Sequence, residues 1–261
     1  MAAAPPVFER LRAELDLWAG AGRAATLWWR DDDAVAVTPG LERLRALSVG
    51  AAVPVGLAVI PASADPSLAG WLPDWPGVAV LQHGIAHADH AAPGERKVEL
   101  GGTREPAAIL ADLTAAFRGM AGLAPLPVLV PPWNRIAPAV VEGLPASGYR
   151  VLSTFGPRTA TAPAGPGRVN VHADLMRGRA FAGDEAALAA VTAHLAARRR
   201  GAADPAEPTG LLTHHRVHDD ACWTFVERFL SVCAGHPAVR WVSPRGFVHT
   251  DAPVAAGKAV V

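Results

Sequence analysis

Four clusters of polar and titratable residues each follow an apolar run. The first is Arg30-Asp31-Asp32-Asp33. Three adjacent carboxylates repel one another, so a bound cation, Arg30 or plain solvation must offset that cost. The second is Gln82-His83-Gly84-Ile85-Ala86-His87-Ala88-Asp89-His90. Histidines four apart share a face if the segment turns helical, a geometry that suits a divalent metal. The third is Val130-Pro131-Pro132-Trp133-Asn134-Arg135. Two prolines stiffen the backbone, which can then hold an N–H toward a reacting oxygen; the plainer reading is a rigid turn with a buried Trp. The fourth runs from Leu211 through His214, His215 and His218 to Asp219 and Asp220. A His at the end of an apolar strand suits a general acid or base. His215 and His218 read as supporting groups and Asp219 as a helix N-cap. Together the clusters hold an Asp/His set of the kind that binds zinc or a similar divalent ion.

Elements of two kinds must position these residues. Strand candidates are residues 26–30, 55–60, 78–82, 127–131, 150–153, 169–172, 210–214 and 239–243. Helical periodicity covers residues 7–18, 41–47, 106–120, 137–144, 185–199 and 221–233. Strand–helix alternation at this spacing means βαβ units and a parallel sheet, either closed into a barrel or open and doubly wound. In either architecture sites form at the C-terminal ends of the strands, where the four clusters fall. Residues 160–167 and 198–208 are rich in Ala, Gly, Pro and Arg and read as surface loops, because alternation resumes after each; residues 1–261 are expected to form a single domain. The Gly20-Ala21-Gly22 string precedes a strand instead of following one, so it reads as a helix-ending turn and not a dinucleotide loop.

Composition narrows the function. The chain has 261 residues, 51% apolar and 18% charged, which excludes a disordered or solvating polymer. Lys+Arg and Asp+Glu both total 24. With a pI near 7.2 the chain lacks the basic footprint of a general nucleic-acid binder. Cys222 and Cys233 cannot build a disulfide framework and read as buried small side chains. The N-terminal MAAAPPVFERLRAEL shows no basic or apolar leader region, and Gly50, Pro54, Gly56 and Pro61 break the charge-free stretch 46–64. A cytoplasmic protein without a membrane span is expected.

The order of the motifs resembles the polysaccharide deacetylase family, carbohydrate esterase family 4. Paired Asp follow the first strand, His-x-x-x-His follows a later one, then come a Pro-Pro-aromatic loop and a Leu-x-His. The resemblance runs from about Thr26 to His214. It implies a deformed (β/α) barrel of about seven or eight strands and a metal-dependent deacetylase acting on linear C–N amide bonds. It implies one divalent ion, zinc being the expected metal, and a small-molecule or glycan substrate. Residue by residue, it implies Asp32 as the base and Asp33, His83 and His87 as metal ligands, with Asp31 and Asp32 as the alternative register of the pair. It implies Trp133 as the source of an oxyanion-binding N–H and His214 as the general acid. The chain departs from the family at Val130, where an Arg is usual and which Arg30 or Arg135 replaces. The Asp-x-x-Trp that holds the catalytic His is missing, and Asp174 stands in a place to orient His214. A small cytoplasmic N-acyl sugar or an intermediate of glycan assembly fits the substrate. The alternatives are a non-catalytic glycan-binding barrel and a metal hydrolase of a non-sugar amide or ester.

Overall fold

The computed structural model describes residues 7–158 and 165–248. Of the loop expected at 160–167, residues 160–164 therefore lie outside the described residues. Nine parallel strands form one sheet: β1 (Ala25–Ala34), β2 (Val55–Val59), β3 (Val78–His83), β4 (Val128–Val130), β5 (Val151–Leu152), β6 (Gly167–Arg168), β7 (Ala173–Asp174), β10 (Thr209–Thr213) and β11 (Val239–Trp241). A short antiparallel hairpin, β8 (Met176–Arg177) and β9 (Ala180–Phe181), was not visible in the periodicity. The order is β6-β5-β4-β3-β2-β1-β10-β7. Both ends of that order lie on one stretch of chain. Residues 167–168 pair with β5, Phe155 bridges Val171, and residues 173–174 pair with β10. The sheet therefore curls back on itself as a deformed barrel rather than an open, doubly wound sheet. The expected strand at 239–243 lies off this path. Its residues Val239–Trp241 pair with Ala25–Leu27, on the β1 edge that β2 occupies farther along, at Arg30–Ala34.

Helices cover the outside: α1 (Val7–Gly20), α2 (Pro39–Gly50), α3 (Ser67–Trp71), α4 (Pro106–Gly119), α5 (Pro138–Gly143), α6 (Asp184–Arg199) and α7 (Asp220–Ala234). Capping sets two starts. Thr38 Oγ1 accepts from Leu41 N at 3.2 Å, and Asp219 Oδ1 accepts from Cys222 N at 2.8 Å. Strand alternation splits the core into an outer and an inner layer. Leu27 and Trp29 face α1, α2, α6 and α7 with Val55, Leu57 and Leu211. Trp28, Ala58, Leu81, Val130, Val151, Val171 and Leu212 face inward. The inner layer thus takes residues from β1 to β5, from β10 and from the stretch between β6 and β7, and Phe247 meets Trp28 edge-on at 5.3 Å. Gly210 is needed here: a Cβ would lie 2.5 Å from Trp28 Nε1, which donates to Asn170 O. Cys222 and Cys233 are buried and free. No helix among the described residues is long and apolar enough to cross a membrane.

Candidate active site

Strict alternation along β1 places Trp28, Arg30 and Asp32 inside and Trp29, Asp31 and Asp33 outside. The structure breaks that rule once. Pairing with β2 runs Arg30–Gly56 and Asp31–Leu57, then jumps to Ala34–Val59, so β1 carries one extra residue. Asp33 sits in this bulge with φ 70°. The bulge turns its carboxylate to the mouth, where Oδ1 lies 3.1 Å from His83 Nε2 and 3.5 Å from His87 Nε2. Burial would raise the Asp33 pKa, but contact with His83 outweighs it and holds the carboxyl below the usual range. Asp31 stays outside and is fully buried against the last cluster. It accepts from Thr213 Oγ1 at 2.6 Å and His215 N at 3.1 Å, and lies 2.5 Å from His215 Nδ1. The structure brings Asp33 to the paired histidines and turns Asp31 to His215, while Asp32, the ligand of the alternative register, pairs with Arg30.

His83 ends β3 and His87 follows in a non-helical loop, not the helical turn considered from the spacing. His83 Nδ1 donates to Val130 O at 3.0 Å, and Nε2 faces Asp33 Oδ1 at 3.1 Å, donating to it when protonated and offering its lone pair to a metal once that proton is gone. With Nδ1–H held by Val130 O, the neutral ring would present Nε2 to a metal. Asp33, His83 and His87 each offer a ligand atom within 4.8 Å of the others. Burial opposes a charge on His83, but the Asp32 and Asp33 carboxylates outweigh it and raise its pKa; burial and the neighbouring His83 lower that of His87. One carboxylate and a pair of imidazoles fit a divalent cation of the zinc type. Glu99, which no motif marked, is buried behind this loop and accepts from Ile85, Ala86 and Ala88 N–H.

Asp32 points inward with 3% exposure, beside a fully buried Arg30. Arg30 Nε lies 2.9 Å from Asp32 Oδ1, and an Nη atom donates to Oδ2 at 3.0 Å. The same guanidinium donates to Ser153 Oγ at 2.8 Å and Asn134 Oδ1 at 2.7 Å. Arg135, the other candidate for this task, donates instead to Lys97 O at 2.8 Å. Trp133 and Asn134 adopt left-handed φ of 54° and 56°. The Trp133 ring packs on His87 with centroids 4.4 Å apart. Asp33, His87, Trp133 and Asn134 are four of the six non-glycine residues with positive φ among the described residues. Each costs about 1–3 kcal/mol, and such strain gathers at functional sites.

His214 follows β10 in line with inward-facing Leu212, while Thr213 bonds outward to Trp29 Nε1 at 2.8 Å. His214 Nδ1 lies 3.7 Å from Asp174 Oδ1, within ion-pair reach but beyond a hydrogen bond. Burial raises the pKa of Asp174. His218 Nε2 accepts from His214 N at 3.1 Å. His90 stands apart, its backbone paired with Val98 and Thr103. An open pocket of about 320 Å³ adjoins Asp33 and His87 and is lined also by Val35, Ile60, Ser63, Ala86 and Arg216.

A second buried trio, His172, His194 and Glu207, also has metal-like spacing. Its chemistry differs. His172 Nδ1 accepts from Gly210 N at 2.9 Å, so the neutral ring carries its proton on Nε2, facing Glu207 at 3.5 Å. The two rings stack at 3.4 Å with planes 14° apart, so their Nε2 atoms point side by side toward Glu207. The trio links α6 to the stretches that lead into β7 and β10, and these contacts fit a structural brace. Burial would raise the Glu207 pKa, but the two histidines hold it down at about 2.

No sequence-family profile matches the chain. No curated protein matches it in sequence. Solved structures do. A probable polysaccharide deacetylase from Pseudomonas aeruginosa PAO1 is similar at 14% identity and TM-score 0.61, over 87% of this chain and 91% of that one. A putative polysaccharide deacetylase from Mycobacterium smegmatis is similar at 15% identity and TM-score 0.59, over 85% and 88%. A family 4 carbohydrate esterase pseudoenzyme, solved as a mutant with restored activity, is similar at 12% identity and TM-score 0.54, over 86% and 68%. This chain has the fold of the family 4 carbohydrate esterases and polysaccharide deacetylases.

Proposed function

We propose that this chain is a metal-dependent amide hydrolase that removes an N-acyl group, N-acetyl first among candidates, from a sugar or related small substrate. The observation that carries the reading is the convergence of Asp33, His83 and His87 beside a buried Asp32–Arg30 pair at one mouth of the barrel. Asp33, His83 and His87 would hold the ion, zinc by the chemistry of the donors. Such an ion, when bound, acidifies water and withdraws electron density from an acyl oxygen.

The residues of the chain supply the rest. Asp32, held at Oδ2 by a hydrogen bond from Arg30, takes a proton from the water whose oxygen attacks the acyl carbon. The Trp133 N–H, held by the Pro131-Pro132 backbone, donates to the acyl oxygen as charge develops there; one such donor is typically worth about 3–4 kcal/mol. His214 gives a proton to the leaving nitrogen as the C–N bond breaks, so the products are a carboxylic acid and a free amine. Amines leave poorly unless protonated, which is why the acid is needed. Asp174 Oδ1 lies 3.7 Å from Nδ1, the second ring nitrogen of His214, where it can orient the ring. A similar fold includes a pseudoenzyme, but here a base, an acid and a ligand set are all present, which favours catalysis. The test is release of acetate and free amine from N-acetylglucosamine and its short oligomers by zinc-loaded chain. Acetate release abolished in Asp32→Asn is the expected result; release that persists in Asp32→Asn rejects the assignment of the base.

A further inference from the structure

The loop that carries His87 holds its shape by an unusual means. It leaves β3 through Gly84 at φ 58° and reaches His87 at φ 57°, so it forms neither helix nor strand. Its amide groups therefore have no ladder to pair with. Three of them turn to one point behind the loop, where the Glu99 carboxylate takes them: Ala86 N at 2.7 Å, Ile85 N at 3.0 Å and Ala88 N at 3.1 Å. Successive inward N–H groups make an anion-binding nest, and here the anion is a side chain of the same protein. Glu99 is 1% exposed. Gly84 is shaped to this arrangement, because a Cβ there would lie 2.0 Å from Glu99 Oε2 and 2.6 Å from Pro132 Cδ.

The residues around Glu99 reach the other loop of the site. Lys97 O accepts from the Arg135 guanidinium, and its ammonium lies 5.7 Å from the Trp133 ring centroid. Leu100 O accepts from Ala137 N at 2.8 Å. The stretch 97–100 thus ties the His83–His87 loop to the Trp133 loop. We propose that Glu99 is a positioning residue for the metal centre: by taking the amides of Ile85, Ala86 and Ala88 it fixes where the His87 imidazole stands relative to Asp33 and His83. This rests on reading those three residues as metal ligands. Glu99 touches neither metal nor substrate and acts through the loop backbone.

Two independent changes disturb the same contact. Glu99→Gln keeps size and shape but turns an NH2 toward an amide that needs an acceptor. Gly84→Ala pushes a methyl into the carboxylate from the other side. The full chain, stripped by chelator, is titrated with zinc alone against a competing indicator, and its thermal unfolding is followed without zinc. Wild type binds zinc, and each variant binds it about 10–100-fold more weakly, the effect seen when groups that orient ligands are removed. Zinc affinity within about twofold of wild type in Glu99→Gln overturns the proposal, even if unfolding shifts, since that marks a purely structural carboxylate. A Glu99→Gln chain that does not fold overturns it too. If wild type binds no zinc, the metal reading itself falls and takes the proposal with it.

Discussion

Arg30 offers the sharpest quantitative test of how the site is built. Its guanidinium is wholly buried and meets both oxygens of Asp32, at 2.9 and 3.0 Å. It also donates to Ser153 Oγ and Asn134 Oδ1. Arg30→Met removes the counter-charge and leaves Asp32 buried alone. Breaking a buried pair on one side costs about 3–5 kcal/mol, whereas replacing both partners is often close to neutral. At about 2–4 °C per kcal/mol for a chain of this size, Arg30→Met should lower Tm by roughly 6–20 °C. Asp32→Asn in the same chain should return much of that loss, giving a coupling energy above about 2 kcal/mol in a double-mutant cycle. Arg30→Lys keeps the charge but cannot make the fork, so it should fall between. Unfolding in urea and by calorimetry measures wild type, Arg30→Met, Asp32→Asn, the double variant and Arg30→Lys. A loss under about 1 kcal/mol in Arg30→Met, or additive losses in the double variant, refutes the claim that Arg30 holds Asp32. An Arg135→Met variant serves as the contrast, since Arg135 bonds only a loop carbonyl among the contacts described, and should shift Tm little.

Three further outcomes are expected. His214→Ala should cut turnover of an amide substrate by roughly 10²–10⁴-fold while zinc affinity holds, because the acid is not a ligand; loss of zinc would make His214 a ligand instead. Stability should decline on the acid side, measured as urea midpoints between pH 7 and pH 3. Burial lowers the His218 pKa from 6.5 to about 4, so the unfolded chain protonates first and stability is lost from pH 6.5 toward 4. Glu207, held at about 2 against its ordinary 4.5, gives stability that is full above 4.5 and lost below it. Flat midpoints across that range would reject both assignments. Glu207→Gln should destabilise the fold yet leave zinc stoichiometry unchanged, since the His172–His194–Glu207 trio is read as a brace; a drop in bound zinc would show it to be a second metal site.

Much of this was legible in the residues, for a physical reason in each case. Apolar runs with helical intervals gave the parallel sheet, and the Asp219 cap stands where the sequence placed it. The barrel closure was harder to see, because the strand expected at 169–172 is in fact a bridging stretch that pairs with β5 before it and β10 after it. Alternation alone would have turned Asp33 away from the histidines; only the bulge brings it in, and a bulge leaves no mark in a run of three identical residues. The His83–His87 spacing fits a helix, yet Gly84 and the Glu99 nest make a loop with the same result. Glu99 itself gave no signal, since a single Glu in a polar segment looks like any solvated side chain. Arg30 and Arg135 could not be ranked by spacing, because burial, and not sequence distance, decides which meets Asp32.

The central claim is the metal centre at Asp33, His83 and His87, and zinc titration of the chelator-stripped chain tests it most directly. The expected result is one zinc bound per chain in wild type, lost in His83→Ala and in Asp33→Ala, with both variants still folded by circular dichroism. No zinc bound by wild type, or binding unchanged in folded His83→Ala, contradicts it.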